Sequence, residues 1–476
     1  MKIVFAASEA APFIKTGGLG DVAEALPAAL SAMKGNEVCI FLPYYNKIKN
    51  NPNVETEFVK SFSVDLSWRK QHCGVFRYKC RKKKWQVYFI DNEYYFDRAN
   101  IYGEADDGER FAFFSKAILQ SLVELQINPD VIHCNDWQTA LVPVLLHAQY
   151  HDVLGNAKTV FTIHNIEYQG KADPYFIGDM LGLDGQYVNT LTYDGCTNFL
   201  KGALLSSDMI TTVSSTYADE LTFPYYSHGM SPIISEHSFK LKGIVNGINT
   251  DIFNPAADKA LVCNYDINSF KEGKAANKKA LQQKLGLDVR EDVALIGMVS
   301  RLVSHKGLDL ICDKLGELMG FDIQLVVIGT GDAKYENAFK EMAYHNSNKL
   351  SVNLVFDPAF ASQVYAACDM YLMPSKSEPC GLSQMIAMRY GTVPIVNATG
   401  GLKDTVIPFN SEDKTGTGFN FQSYNADDML GAIRRALEIY GGDRATFDKI
   451  VHNAMSGDYS WKESALKYMD LYSKLM

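Results

Sequence analysis

The chain reads as an α/β protein made of two doubly wound parallel-sheet domains. Three observations carry that reading. The strand candidates are continuous apolar runs rather than alternating ones, as in Val131-Ile132-His133-Cys134 and Gln324-Leu325-Val326-Val327-Ile328. Helical patterns separate these runs, which is what buried parallel strands covered on both faces require. The pattern stops and begins again near residue 245, and 476 residues are too many for one core.

The first strand candidate is Ile3-Val4-Phe5-Ala6-Ala7. It feeds Lys15-Thr16-Gly17-Gly18-Leu19-Gly20-Asp21 and then a helical run from Val22. A strand, a glycine turn and a helix together hold anions, because glycine lets backbone approach a ligand and the first helical N–H groups face it. Lys15 adds a cation. The spacing is not G-x-G-x-x-G, and the next strand, Val38-Cys39-Ile40-Phe41-Leu42-Pro43, ends without an acidic residue. Both facts argue against a nicotinamide-dependent dehydrogenase. Further strands of the first half are expected at 87–90, 131–134, 159–163 and 209–213, with a helix around 111–119. The second half has strand candidates at 293–299, 324–328, 370–373 and 393–396. A polar stretch, 254–290, precedes them and ends in a helix, and one amphipathic helix runs from Trp461 to Leu475.

Bulk properties narrow the function. A net charge of −9 and a pI of 5.6 disfavour nucleic acid as a partner. No apolar run approaches the ~20 residues that span a bilayer, so no membrane partner is expected. The apolar run at the N-terminus is short and broken by Ser8-Glu9, unlike a signal peptide. Nine cysteines without a C-x-x-C pair suit reduced thiols in a cytoplasmic setting. His147 and His151 have i,i+4 spacing but lack the glutamate of H-E-x-x-H, so they are expected at a helix end rather than on a metal.

Ligands of open parallel sheets bind beyond the carboxyl ends of the strands. After Val299 comes Ser300-Arg301-Leu302-Val303-Ser304-His305-Lys306-Gly307. Two cations there suit a phosphate or diphosphate. At an effective dielectric of about 20, one charge pair at 4 Å is worth roughly 4 kcal/mol, about three decades of rate if delivered to a leaving group. After Met373 comes Pro374-Ser375-Lys376-Ser377-Glu378-Pro379-Cys380-Gly381-Leu382. Glu378 is a natural acceptor for sugar hydroxyls, and Cys380 at a helix start is a candidate for a lowered pKa. After Val396 comes a second glycine turn, Thr399-Gly400-Gly401-Leu402. In the first half, His133-Cys134-Asn135-Asp136-Trp137 and His164-Asn165 occupy strand ends. A strand-end histidine taken alone is more often structural.

This ordered set resembles the bacterial glycogen synthase and plant starch synthase family. The resemblance runs over nearly the whole chain and also takes in Tyr94-Tyr95-Phe96-Asp97-Arg98 and Val245-Asn246-Gly247. It implies a GT-B fold, with two Rossmann-like domains facing across a cleft. Residues 1–245 would form the glucan acceptor domain and 246–456 the nucleotide-sugar donor domain. Residues 457–476 would be a helix returning to the first domain, and the crossings near 245 and 457 a hinge. It implies transfer of glucose from ADP-glucose to the non-reducing 4-hydroxyl of an α-1,4-glucan such as glycogen or starch, with retention of configuration. No metal and no cofactor beyond the nucleotide sugar is expected. A cytoplasmic location follows, or a plastid stroma after loss of a transit peptide.

The resemblance also implies roles. Arg301 and Lys306 would hold the diphosphate and the departing ADP. Lys15, Gly18 and Asp21 would approach the donor from the other wall. Glu378 would bind glucose hydroxyls, and Cys380, Gly381, Leu382, Thr399, Gly400 and Gly401 would line the donor site, with backbone N–H groups on sugar and phosphate. Phe356 would stack on adenine. His164 would lie near the anomeric carbon, with Asp136 and Asn165 beside the substrates and Asn246 at the interdomain crossing. Tyr95, Asp136 and Trp137 would contact the acceptor. No carboxylate is clearly placed as a nucleophile, which favours same-face displacement. The sequence departs from the family pattern at His305, Lys376, Asn397-Ala398 and 226–232, which bears on acceptor preference. The alternatives are a related glycosyltransferase with another donor, such as UDP-glucose, or another acceptor, and a catalytically silent glucan-binding relative.

Overall fold

A computed structural model describes residues 1–79 and 85–476. The chain divides into two compact units, Met1–Asn246 with Trp461–Met476, and Gly247–Ser460.

The first unit contains β1 (Lys2–Ala6), β2 (Glu37–Pro43), β3 (Thr56–Leu66), β4 (Arg69–Tyr78), β5 (Gln86–Asp91), β6 (Val131–Asn135) and β7 (Lys158–Ile163). A small antiparallel sheet follows, of β8 (Lys171–Ala172), β9 (Thr192–Tyr193) and β10 (Cys196–Asn198), and then β11 (Met209–Thr212) and β12 (Leu241–Gly243). The main sheet has the order β12-β11-β7-β6-β1-β2-β5-β4-β3. From β12 to β5 every pairing is parallel. The chain moves outward from β1 to β2 and β5, then returns to β6 on the other side of β1. The strand order therefore reverses between β1 and β6, where such sheets bind ligands.

The hairpin of β3 and β4 is an addition to the expected parallel sheet. It pairs antiparallel with itself and with β5. Strand β3, TEFVKSFSVDL, is largely solvent-facing. One-sided strands alternate apolar with polar residues and lack the continuous run that marks buried strands.

The second unit has β13 (Ala294–Val299), β14 (Ile323–Ile328), β15 (Leu350–Asn353), β16 (Met370–Met373), β17 (Val393–Asn397) and β18 (Phe419–Phe421), in the order β15-β14-β13-β16-β17-β18 and all parallel. Its order reverses between β13 and β16. One face is sealed by Leu281, Leu295, Val326, Val364 and Cys368, which pack as one buried cluster. Burying such side chains contributes about 1.5–3 kcal/mol each.

The Trp461–Leu475 helix belongs to the first unit and packs beside the Gly18–Ala32 helix. Ser464 donates to the Val245 carbonyl at 2.6 Å. His133 joins the same helix to the sheet: its Nδ1 lies 2.6 Å from the Tyr472 hydroxyl and its Nε2 2.5 Å from Thr162 Oγ1. His133 is completely buried, and that burial pulls its pKa down to about 3. It is a structural histidine.

His147 ends a helix, Leu141–Gln149, and shares a hydrogen bond with the Ser206 carbonyl. Cys80 lies outside the described residues, and the eight other cysteines form no disulfide. Among the described residues no helix is long and apolar enough to cross a membrane.

Candidate active site

In the second unit the two loops at the switch point follow β13 and β16. They carry Arg301 with Lys306, and Ser375 with Glu378. Lys306 Nζ lies 2.7 Å from Glu378 Oε2, and Ser375 Oγ donates to the same oxygen at 3.0 Å. Glu378 is 7 % exposed. Arg301 is exposed, and its guanidinium has no partner among the described residues. Arg301, Lys306, Ser375, Glu378 and Leu382 share the lining of one cavity of about 190 Å³. A cation held against a carboxylate beside a second, free cation is a polar pocket suited to an anion carrying hydroxyl groups.

Glycines fix this pair of loops. Gly307 has φ +76° and a side chain there would lie 2.0 Å from the Pro374 carbonyl, so only glycine lets the loops meet. The Lys376 N–H donates to the His305 carbonyl at 2.9 Å. The turn after β17 is pressed just as closely: a Cβ on Gly400 would fall 2.1 Å from the Glu378 carbonyl, and one on Gly401 2.1 Å from that of Cys380. The Gly401 N–H is donated to the carbonyls of Glu378 and Pro379. This corrects the expectation that it faces a ligand, because a backbone donor so committed cannot also bind phosphate. Gly401 instead seats the Glu378 loop. Thr399, Gly400 and Cys380 are buried, and Cys380 is only 5 % exposed. Gly381, with φ +70°, turns the chain into Leu382 and the short Ser383–Arg389 helix.

In the first unit the loop after β1 is organised by Glu9, which sequence reading passed over. Its carboxylate accepts from Thr16 N–H at 2.6 Å, Thr16 Oγ1 at 2.7 Å and Gly20 N–H at 3.2 Å. Glu9 is 2 % exposed, and burial raises its pKa against the opposing pull of those hydrogen bonds. The signal available in the sequence was a carboxylate inside an apolar run, at the end of the first strand. Lys15 pairs with Asp21 at 2.7 Å, both substantially exposed. Exposed pairs contribute only ~0–1 kcal/mol, so Lys15 can exchange Asp21 for another anion at little loss. A Cβ on Gly20 would strike the Lys15 side chain, whereas one on Gly18 would meet open space. Gly18 is therefore not required by packing within this unit.

The loop after β6 carries Asp136, a non-glycine residue at φ +55°. Such backbone is held only where the surroundings enforce it. Its Oδ1 accepts from the N–H of His164 at 2.7 Å and of Asn165 at 3.4 Å, tying the ends of β6 and β7 together. Burial pushes the Asp136 carboxyl up to about 7. His164 Nε2 lies 2.9 Å from Asn135 Oδ1. Asn135 Nδ2 donates to the carbonyls of Ala6 and His133, which leaves its oxygen as an acceptor. That assigns the proton to His164 Nε2 and leaves Nδ1 with its lone pair. Burial lowers the His164 pKa to about 3, so the ring is neutral at ordinary pH.

Trp137 is partly exposed and packs edge-on against Phe111, with centroids 5.1 Å apart. Tyr95 corrects the expectation of an acceptor contact. It is fully buried among Phe96 and Phe113, with its hydroxyl donated to Glu109 at 2.5 Å. The exposed ring at this place is Tyr94, at 64 %. Phe356, beyond β15, is 91 % exposed, a large apolar side chain with nothing packed over it. Asn246 is buried, and its Oδ1 has no partner among the described residues. Unpaired buried acceptors are uncommon and mark places where a ligand or water binds. Among the described residues no group of three or more His, Cys, Asp or Glu side chains could hold a metal ion.

Two family models match the chain, the starch synthase catalytic domain over residues 2–236 and glycosyl transferases group 1 over residues 278–452. The chain is 48% identical over 480 residues to a glycogen synthase of Clostridium botulinum, covering 100% of this chain and 99% of that one. It is 49% identical over 482 residues to a glycogen synthase of Clostridium acetobutylicum, covering 100% of both. The catalytic domain of starch synthase IV from Arabidopsis thaliana, solved bound to ADP and acarbose, superposes with a TM-score of 0.89 at 35% identity, covering 99% of this chain and 98% of that one. Matches of this extent, over both units and both switch points, place the chain in the glycogen synthase and starch synthase family of GT-B glucosyltransferases.

Proposed function

We propose that the protein transfers glucose from ADP-glucose to the non-reducing 4-hydroxyl of an α-1,4-glucan, with retention of the α configuration. The observation that carries this reading is the Lys306–Glu378 pair beside the free Arg301, at the switch point of the second unit. Arg301 and Lys306 bind the diphosphate and neutralise the ADP as it departs. Glu378, released from Lys306, accepts hydrogen bonds from glucose hydroxyls. Phe356 offers an open ring for adenine, and Asn246 an open acceptor. That the related starch synthase IV was solved with ADP and acarbose supports an adenine nucleotide and a glucan-like sugar as ligands.

In the first unit His164 presents a neutral imidazole whose Nε2 proton is fixed by Asn135. Asp136 holds the backbone of His164 and Asn165 in place beside the sugar. Lys15, paired only at the surface with Asp21, is the cation that this unit offers the donor, and Gly18 leaves room for a ligand. Trp137 and Tyr94 serve the acceptor. The cations carry the leaving-group charge without a metal ion. Preorganised charge of this kind is usually the largest single contribution to rate. Displacement on the same face as the leaving ADP retains configuration.

Incorporation of labelled glucose into glycogen, from ADP-glucose and from UDP-glucose in parallel, tests the reading. Elongation with ADP-glucose is expected. Faster elongation with UDP-glucose would overturn the donor assignment, and no elongation with either would overturn the activity.

A further inference from the structure

A second cavity, of about 250 Å³, lies in the second unit at the opposite end of the strands from the transfer site. One wall is a face of the Phe270–Leu285 helix bearing Lys271, Lys274, Lys278 and Lys279. The other is a face of the Arg444–Met455 helix bearing Arg444 and Asp448. Asp369 and Glu291, just ahead of β16 and β13, complete the charged lining. The transfer pocket sits beyond the carboxyl ends of the same two strands.

Five basic side chains against three carboxylates leave two positive charges in excess. That excess stands out in a chain whose net charge is −9. Two of the carboxylates are already engaged: Lys278 pairs with Asp369 at 2.8 Å and Lys271 with Asp448 at 2.6 Å, and Arg444 reaches Asp448 at 3.5 Å and Asp369 at 3.9 Å. Lys274 has no carboxylate within ion-pair distance among the described residues. The residue is 8 % exposed, and its ammonium rests on the carbonyls of Ala366 and Tyr390 and the hydroxyl of Thr392. Burial draws its pKa down to about 8. Lys279 is exposed and has no partner among the described residues. A buried ammonium held by dipoles, with Asp369 acting on it only from a distance, is poorly compensated, and an anion nearby relieves it. Phe270 and Phe447 give the same cavity apolar walls.

We propose that this cavity binds a small phosphorylated metabolite, contacted by Lys279 and Arg444 within the field of Lys274, independently of the transfer site. A phosphate monoester carries about −1.5 to −2 charges at neutral pH, which matches the local excess. Arg444 supplies the planar donor fork suited to phosphate oxygens. The aromatic walls accommodate the organic part.

The test is calorimetric titration of the full chain carrying Arg301→Ala and Lys306→Ala, so that the donor pocket does not contribute. Orthophosphate and a hexose monophosphate are the probes, at fixed ionic strength. Saturable binding is expected, weakened about tenfold or more by Lys279→Gln and again by Arg444→Gln, the range for losing a hydrogen bond to a charged group. Lys340→Gln, on the exposed Ala333–His345 helix, is expected to leave it unchanged. Lys279 is exposed, so its replacement reports on the site even if Arg444→Gln loosens its helix. Tighter binding of the hexose phosphate assigns the aromatic walls to a sugar, and equal binding assigns the site to free phosphate. Absence of saturable binding, or binding indifferent to Lys279 and Arg444, overturns the proposal while leaving glucan elongation untouched.

Discussion

Lys306 and Glu378 neutralise each other across 2.7 Å from loops that follow neighbouring parallel strands. Their side chains are 16% and 9% exposed. Removing one partner of a pair this well covered leaves the other charge stranded, at about 3–5 kcal/mol when burial is complete and less here. Lys306→Ala is therefore expected to lower both Tm and kcat. The catalytic part is expected at about a hundred- to a thousand-fold, the range for one lost transition-state donor. The double variant Lys306→Ala/Glu378→Gln separates the two effects, because it removes both charges. It is expected to recover much of the Tm and none of the turnover. Recovery of turnover together with Tm would make the pair purely structural.

Glu9 holds the loop of Lys15 and Gly18 through three hydrogen bonds donated to one buried carboxylate. Glu9→Gln keeps one oxygen but sets an amide N–H₂ against a backbone N–H, that of Gly20 or that of Thr16, donor facing donor. Leaving a buried donor unsatisfied costs about 1–3 kcal/mol. The expected result is a loop that no longer presents Lys15, with KM for the nucleotide sugar raised and kcat lowered about tenfold. Steady-state kinetics with varied donor concentration checks it. Wild-type donor kinetics in a folded Glu9→Gln protein would show that the loop keeps its shape without the clamp.

Asp136 titrates near 7 because burial disfavours its charge. In the unfolded chain it titrates near 3.8. A raised folded-state pKa means that the stabilisation is full below pH 3.8 and is lost as pH rises through 7. Asp136→Asn removes that penalty while its amide oxygen still accepts from His164 and Asn165. The variant is expected to be more stable than the wild type at pH 8.5, by on the order of 1 kcal/mol given partial solvent contact, and equal to it near pH 4. Turnover is expected to follow the positioning role: Asp136→Asn keeps the hydrogen bonds to His164 and Asn165, so its kcat/KM is close to that of the wild type at low pH and lacks the change that the wild type shows through about pH 7. A pH–rate profile identical in the two proteins would remove Asp136 from the reaction.

The buried strands were legible because strands covered on both faces must be apolar throughout. Arg301, Lys306 and Glu378 were legible because loops at strand ends concentrate chemistry. Three features were hidden for physical reasons. The β3–β4 hairpin faces solvent, so its pattern alternates and resembles a loop. Tyr95 and Tyr94 are adjacent, and one residue of helical rotation decides which ring is buried, a matter of packing against Phe113 rather than of composition. Gly400 and Gly401 read as a ligand turn, yet their missing side chains are explained by two carbonyls 2.1 Å away. Glycine reports close approach without reporting what approaches.

His133 and Tyr472, separated by 339 positions in sequence, meet at 2.6 Å in the core of the first unit. The imidazole is fully buried and shared between Tyr472 and Thr162. Tyr472→Phe keeps the ring and its apolar packing but leaves His133 Nδ1 without its partner. The expected loss is about 1–3 kcal/mol, or roughly 2–12 °C in Tm for a unit of this size. The Trp461–Leu475 helix is expected to become more susceptible to cleavage near its start, where Ser464 holds it to Val245. Acidification compounds the effect. The His133 pKa is lowered to about 3 in the folded protein from 6.5 in the unfolded chain, so its contribution is present above 6.5 and lost as pH falls toward 3. Thermal unfolding and limited proteolysis at pH 7.5 and 5.5 measure both parts. An unchanged Tm in Tyr472→Phe would assign the hold on this helix to the Ser464–Val245 bond and to its buried face, through Trp461, Ala465 and Tyr468.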